Sequence, residues 1–290
     1  MKLEAHAKVN LFLHVVGRFR NGYHKVETVF QPLKIGDVVE VKKVLKGVEV
    51  TSNDKSIPLD ERNSAFKAAV KLAERVGVDL SETGVRIHIV KRIPSAGGLG
   101  GSAVDAAPVL IILNKMWKAG LSVEELVEIA GSVAVDAPQA LIPRVTVGSG
   151  TGAKVRVVPS RLGKCFVLLV NPVGEYYPGK AKSAYLYSKL DEIKIKHEKS
   201  LKKLLKSIER GSWVEASRSY ENDFELVVFR DYPVIERVKK EVGETKPVYF
   251  GMSGAGSVVF GFYPTKSEAL KAERFIKKKF KCWTLVTETL

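Results

Sequence analysis

An α+β fold in two lobes is what this sequence predicts. Strand-like and helix-like segments interleave along 290 residues without a strict βαβ period. Hydrophobic residues make up 45% of the chain and charged residues 27%, enough to bury a large core under a charged surface, which excludes a disordered chain. At ~100–200 residues per domain the length suggests one large or two ordinary domains; two lobes are expected, residues 1–160 and 161–290, with a ligand cleft between them.

In the first unit, apolar residues over 3–19 and 25–50 alternate with polar ones or form short runs broken by Gly and Asp, the pattern of several antiparallel strands. Asn63 is placed as the N-cap of a helix with the apolar stripe Phe66, Ala69, Val70, Leu72, Ala73 and Val76, ended by Gly77. A strand over 85–93 runs into a glycine-rich loop and a helix towards Trp117, where Pro108 predicts a kink or a late start. Ser122 and Glu125 form a capping box for a helix closed by Gly131, and strands return at 144–147 and 153–158. In the second unit a buried strand at 166–170 is followed by the turn Asn171-Pro172-Val173-Gly174 and helices at 179–190, 199–209, 213–219 and 234–241. Strands at 247–250 and 257–262, a helix capped by Thr265 and Glu268 and ending in Lys277-Lys278-Lys279, and a strand at 283–287 complete it.

The 47 Lys plus Arg against 32 Asp plus Glu leave a net charge of +15, a balance compatible with nucleic acid, an acidic membrane or a phosphorylated small molecule. The basic run at 193–210 lies on a leucine pattern (Leu201, Leu204, Leu205) and reads as an amphipathic helix with a solvated face. Two distant cysteines, Cys165 and Cys282, exclude a disulfide scaffold and give no metal-ligand spacing; they read as buried thiols in a reducing cytosol, so a cytoplasmic location is expected. No apolar run approaches the ~18 residues of a membrane span. The first eight residues carry charge where a secretory signal is apolar.

The segment Pro94-Ser95-Ala96-Gly97-Gly98-Leu99-Gly100-Gly101-Ser102-Ala103 is the most informative. Four glycines in five positions remove the side chains that would keep a ligand from the backbone, and the amides they expose lead into a helix N-terminus, a setting suited to phosphate oxygens. It lacks the Gly-Lys-Ser/Thr end of a P-loop and the dinucleotide spacing.

This loop resembles the phosphate-binding motif of the GHMP kinases. Near the N-terminus, Ala7-Lys8-Val9-Asn10-Leu11-Phe12-Leu13, Asn21-Gly22-Tyr23-His24 and Glu27-Thr28-Val29-Phe30-Gln31 resemble the branch of that superfamily that acts on a cytidine diphosphate derivative of methylerythritol. Asn222-Asp223-Phe224-Glu225 fits that branch's Asn-Asp pair, and Gly251-Met252-Ser253-Gly254-Ala255-Gly256 resembles the superfamily's third motif. The resemblance implies the two-lobed GHMP kinase fold: an N-terminal lobe like the second domain of ribosomal protein S5, an α/β-plait-like C-terminal lobe, and the active site in the cleft between. It implies ATP and Mg²⁺, and the 2-hydroxyl of 4-(cytidine 5'-diphospho)-2-C-methyl-D-erythritol as acceptor in the non-mevalonate route to isoprenoids; no membrane partner is expected of a chain without an apolar span, and either a monomer or a homodimer is expected.

Carried over onto matching positions, Asp136 is the general base and Lys8 the cation beside it that lowers the acceptor pKa. Asn63 and Lys91 fall near the adenosine, and Pro94, Gly97, Gly98, Leu99, Gly100, Gly101 and Ser102 around the phosphates. Asn10, Tyr23, His24, Phe30, Tyr185, Ser253 and Gly254 fall at the acceptor, with Phe30 and Tyr185 as stacking faces and Tyr176, Tyr177 and Tyr187 competing with Tyr185. No metal-ligand set is visible. The chain departs from the branch in keeping one serine, Ser102, where a serine pair is usual, and in reading Ala134-Val135-Asp136-Ala137-Pro138 around its aspartate. Two other readings compete: a sibling kinase for homoserine or mevalonate, and a non-catalytic basic nucleic-acid binder, which the presence of both Lys8 and Asp136 disfavours.

Overall fold

The computed structural model describes residues 1–172 and 182–290. The end of the turn expected at Val173-Gly174, the start of the helix expected from 179, and Tyr176 and Tyr177 lie outside the described residues.

Two long strands organise the first lobe. β1 (Lys2–Arg18) buries most positions from Ala5 to His14 and pairs antiparallel with β2 (His24–Val44), so the several strands expected here are fewer and longer. The pairing shifts register at His6/Lys8 and again at Asn10/Phe12. Bulges of this kind re-aim side chains, and here they flank Lys8 and Asn10. β3 (Val48–Ser52) crosses over through α1 (Ser64–Val76) to pair parallel with β4 (Gly84–Val90). Asn63 caps α1 by accepting from the Ala65 amide at 2.8 Å, and Gly77 ends it at φ +72°. α2 (Ala106–Met116) starts after a 3₁₀ turn, with Pro108 in its first turn, where the missing amide costs nothing: the late start.

α3 (Val123–Val133) opens with the Ser122–Glu125 capping box but runs past Gly131. A Cβ at Gly131 would make only ordinary contacts at 3.7 Å, so this glycine sits inside the helix without capping it. The short α4 (Ala137–Ala140) and the hairpin of β5 (Thr146–Ser149) and β6 (Lys154–Val157) complete the lobe, whose sheet runs β3-β4-β2-β5-β6 with β1 also on β2.

The second lobe contains β7 (Phe166–Asn171), α5 (Lys182–Leu190), α6 (Leu201–Arg210), α7 (Trp213–Ser217) and α8 (Glu225–Asp231). It continues through α9 (Pro233–Glu244), β8 (Tyr249–Met252), β9 (Val259–Tyr263), α10 (Lys266–Lys279) and β10 (Trp283–Glu288). Its antiparallel sheet has the order β10-β7-β9-β8. Sequence periodicity did not predict α4 or α8. The basic helix α6 buries Leu204 and Ile208, and Lys202, Lys203 and Lys206 are exposed.

One apolar core joins the lobes: Val9, Leu11 and Phe12 of β1 belong to the same buried cluster as Leu169, Tyr249 and Phe260 of the second sheet. The Tyr249 hydroxyl donates to the Leu11 carbonyl, and the Asp223 amide to the Leu13 carbonyl at 3.0 Å. β1 is therefore the seam of the molecule, which places its mid-strand side chains between the lobes. No helix among the described residues is long and apolar enough to cross a membrane.

Candidate active site

The glycine loop is gripped from both lobes. Its backbone is left-handed at Gly98 (φ +83°), Gly100 (φ +96°) and Gly101 (φ +43°). A Cβ at Gly98 would lie 2.0 Å from the Ser253 carbonyl oxygen, so only glycine fits there. Ser253 Oγ donates to the Gly98 carbonyl at 2.8 Å, and the Val258 amide to that of Gly97 at 3.1 Å. From the other side the Lys8 amide donates to the Leu99 carbonyl at 3.1 Å and Lys8 Nζ to that of Gly98 at 2.9 Å. With its carbonyls engaged in this way, the loop is held in place between β1 and the 253–258 turn.

Lys91 lies beneath the loop. Its side chain is 4% exposed and pairs with Asp37 and, at 3.0 Å, with Asp105. Asp37 also accepts the amides of Arg92 and Ile93, tying the root of the loop to β2. Burial raises the Asp105 pKa to about 7 against the pull of Lys91, and the Asp37 charge adds to the rise. Two buried carboxylates require this ammonium, which explains why Lys91 supports the loop and is absent from the cleft lining. Asn63 is likewise engaged in the fold: it caps α1 and donates to the Pro58 carbonyl at 2.7 Å. Pro94, Leu99 and Ser253 are not among the residues that line the cleft, and the Ser102 side chain lies outside what the structure describes.

Between the lobes lies a cleft of about 840 Å³. On its floor, Lys8 Nζ is 3.4 Å from Asp136 Oδ2 and donates to Asn10 Oδ1 at 2.8 Å. Asn10 donates in turn to Thr28 Oγ1 at 2.8 Å, and Thr28 to the Phe12 carbonyl at 2.7 Å, so the ammonium is positioned by a chain of hydrogen bonds. Asp136 precedes α4 yet makes no capping hydrogen bond. Its side chain, 37% exposed, is therefore not taken up as a helix cap and stands beside Lys8. Lys182, which no motif indicated, donates to the carbonyls of Ala96 (2.7 Å) and Gly256 (2.9 Å). Burial lowers its pKa to about 8, helped by the Lys8 charge and partly offset by Asp136.

Part of the cleft wall is aromatic. His24 stacks on Tyr187 with centroids 4.4 Å apart and planes at 11°, and its Nε2 contacts Asp191 Oδ1 at 2.8 Å. Phe224 meets Tyr187 edge-on at 5.1 Å. Burial pushes the Tyr187 hydroxyl up to about 12, with the Asp136 charge adding to it, so the phenol stays protonated. Tyr187 lines the cleft, whereas Tyr185, the expected stacking face, is absent from the lining and donates its hydroxyl to Asp231 at 3.1 Å. Phe30 lines the deep wall, with Lys8 Nζ 5.5 Å from its ring centroid, Tyr23 stands 62% exposed at the rim, and Gly254 also lines the cleft.

Residues 63–142 match the GHMP kinases N terminal domain, and residues 203–282 the GHMP kinases C terminal domain. The 4-diphosphocytidyl-2-C-methyl-D-erythritol kinase of Caldicellulosiruptor bescii is 36% identical over 278 residues, covering 96% of this chain and 94% of that relative. The chain belongs to the GHMP kinases. The same-named enzyme of Clostridium botulinum is 34% identical, covering 97% of each chain. A crystal structure of 4-(cytidine 5'-diphospho)-2C-methyl-D-erythritol kinase superposes on this GHMP kinase with a TM-score of 0.79 and 28% identity over the whole of both chains. Homoserine kinase from Cytophaga hutchinsonii, with a TM-score of 0.71 and 17% identity over 100% of this chain and 94% of that one, shares the fold. The two-lobed α+β architecture expected from the motifs is therefore that of this GHMP kinase.

Proposed function

We propose that this kinase transfers the γ-phosphoryl group of ATP to the 2-hydroxyl of 4-(cytidine 5'-diphospho)-2-C-methyl-D-erythritol, using lobes bounded at residues 160 and 161. The observation that carries the reading is the stacked His24–Tyr187 pair backed by Asp191, which lines the same cleft as the glycine loop, Lys8 and Asp136. A flat base needs an aromatic face and a fixed hydrogen-bonding edge, and this wall has both. The names of the full-length relatives support the same acceptor.

In this reading the loop amides around Gly98–Gly101 hold the triphosphate, and Asp136 accepts the hydroxyl proton as the acceptor oxygen bonds to the γ-phosphorus and the bond to the ADP oxygen breaks. Lys8 stabilises the oxygen as its charge develops, and Lys182, hydrogen-bonded to the loop from the second lobe, adds positive charge on the phosphate side. Among the described residues two carboxylates line the cleft, Asp136 and Asp191, and hard oxygen donors of this kind fit Mg²⁺, with Asp136 the one beside Lys8. When bound with ATP, the ion supplies charge neutralisation on the phosphate oxygens.

The test is steady-state kinetics with cytidine and uridine forms of the acceptor. A site that hydrogen-bonds the base edge favours cytidine by at least ~100-fold in kcat/KM. Tyr187→Ala raises the acceptor KM and leaves the ATP KM within a few-fold. Equal efficiency with uridine, or saturable phosphorylation of homoserine or mevalonate, overturns the assignment.

A further inference from the structure

Beside the reacting pair, the cleft carries aliphatic groups to which the phosphoryl-transfer steps assign no role. Val26, Thr28 and Phe30 all line the cleft. They share one face of β2, because side chains alternate across a strand. The Thr28 hydroxyl is engaged by Asn10 and by the Phe12 carbonyl, which leaves its methyl as the free part of the side chain. A Cβ built at Gly148 would meet that methyl at 3.0 Å and Phe30 Cε2 at 2.7 Å, so methyl and ring lie side by side. Val135, the residue before Asp136, lines the same cleft and is 42% exposed.

The two valines come from different segments and meet at one glycine. A Cβ at Gly152 would lie 3.1 Å from Val135 Cγ1 and 3.4 Å from Val26 Cγ2, so both isopropyl groups reach the same point of the cleft wall. Gly152 has φ +105° and lines the cleft itself; with no side chain to rise between them, the valines border an apolar notch. Backbone hydrogen bonds hold its frame: the Val26 amide donates to the Gly150 carbonyl at 2.7 Å, and the Gly152 amide to that of Ser149 at 3.1 Å. Asp136 therefore has unlike neighbours. Lys8 Nζ, 3.4 Å from its carboxylate and hydrogen-bonded to Asn10, is polar, whereas the preceding residue opens the notch.

We infer that the notch of Val26, Val135 and Gly152 seats the methyl group on the carbon that bears the acceptor hydroxyl, and so selects a methyl-branched tertiary alcohol over its unbranched counterpart. The inference rests on the acceptor reading given above. In a tertiary alcohol of this kind the methyl and the reacting hydroxyl share one carbon. A hydroxyl within hydrogen-bond reach of Asp136 therefore brings the methyl within a few ångström of that carboxylate. A methyl turned towards Lys8 and Asn10 would strip water from an ammonium and an amide without offering either a hydrogen bond. Turned towards Val135, it covers an aliphatic side chain that otherwise faces water. With a hydrogen in its place, the acceptor loses that contact and the orientation the contact gives its hydroxyl.

The experiment is steady-state kinetics of the full chain with Mg-ATP and two acceptors, 4-(cytidine 5'-diphospho)-2-C-methyl-D-erythritol and the same molecule without its 2-C-methyl group. One methyl in an apolar pocket changes efficiency ~10–200-fold, and the wild type is expected to favour the methylated acceptor by at least ~10-fold in kcat/KM. Val135→Thr keeps the branched shape and puts a hydroxyl where a methyl was, and it lowers that ratio ~5-fold or more. Val135→Ala, which removes one wall of the notch, lowers the ratio as well. Because Val135 is exposed, both changes spare the core, and melts of the ligand-free variants check this. A general loss of activity affects both acceptors alike, so a merely structural role for Val135 leaves the ratio where it was. Wild type that phosphorylates neither acceptor overturns the acceptor reading and the notch with it. Equal kcat/KM for the two acceptors in the wild type, or an unchanged ratio in either variant, overturns the notch alone.

Discussion

Replacing Gly101 with alanine adds one methyl group to the phosphate loop where the fold leaves room for it. Gly101 has φ +43°, and a Cβ built there meets no atom within 4 Å. The cost to the fold is then confined to the left-handed backbone, ~1–2 kcal/mol, or a Tm decrease of roughly 2–8 °C for a chain of this size. At Gly98 the same methyl would lie 2.0 Å from the Ser253 carbonyl oxygen and 3.2 Å from the Gly256 nitrogen. Both neighbours are backbone, so the loop and the 253–258 turn must separate, and the loss is ~3 kcal/mol or more once overpacking adds to the same backbone penalty. Gly100 falls between: its Cβ would meet the Val104 Cγ1 tip at 2.6 Å, which makes Gly100→Val a test of packing as much as of binding. If the triphosphate lies against the open face of Gly101, Gly101→Ala weakens binding of a non-hydrolysable ATP analogue by at least ~10-fold, about 1.4 kcal/mol. Calorimetry for affinity and melts of the ligand-free proteins for stability separate the two effects. Wild-type affinity in Gly101→Ala refutes the placement of the phosphates, and wild-type stability in Gly98→Ala refutes the packing argument.

Asp136→Asn keeps the fold and lowers kcat by ~10²–10⁴ with the ATP KM within a few-fold, and Lys8→Met behaves similarly; turnover at the wild-type rate removes Asp136 as the base. Lys182 has a pKa of about 8 in the fold against an ordinary 10.5, so between those values the unfolded chain holds a proton that the folded chain lacks. Stability from this group therefore rises with pH from about 8 to 10.5, by ~3 kcal/mol. Urea melts of wild type and Lys182→Met at pH 7 and pH 10 show the wild type gaining on the variant as pH rises; a stability difference that does not change with pH refutes the burial argument.

The elements that were legible in the sequence are those whose determinants are local. Asn63 with Gly77, Ser122 with Glu125, and Thr265 with Glu268 each set a helix end within one stretch of chain, and each is found as read, apart from the helix that outruns Gly131. A cap is a hydrogen bond to a neighbour two or three residues away, so its signal survives without knowledge of the fold. α4 and α8 carry no side-chain cap. The length of β1 and β2 was hidden for a different reason: their bulges break the period-two alternation that marks a strand, and where a bulge falls depends on the partner strand.

At the site the same distinction decides which residues sequence could place. The glycine loop is legible because close backbone approach to a ligand demands glycine itself. Tyr185 and Tyr187 differ by two positions on α5, a rotation of about 200° on a helix, so one faces Asp231 and the other the cleft, and the choice depends on how α5 docks against α8. Lys91, beside the loop in sequence, reads as a ligand until Asp37 and Asp105 are seen to enclose it. Lys182 shows the converse: no motif contains it, yet folding brings it to the carbonyls of Ala96 and Gly256, one from the phosphate loop and one from the third motif. A side chain's chemistry is fixed by its residue type, but whether that chemistry is free to act on a ligand is fixed by which distant groups the fold brings to it.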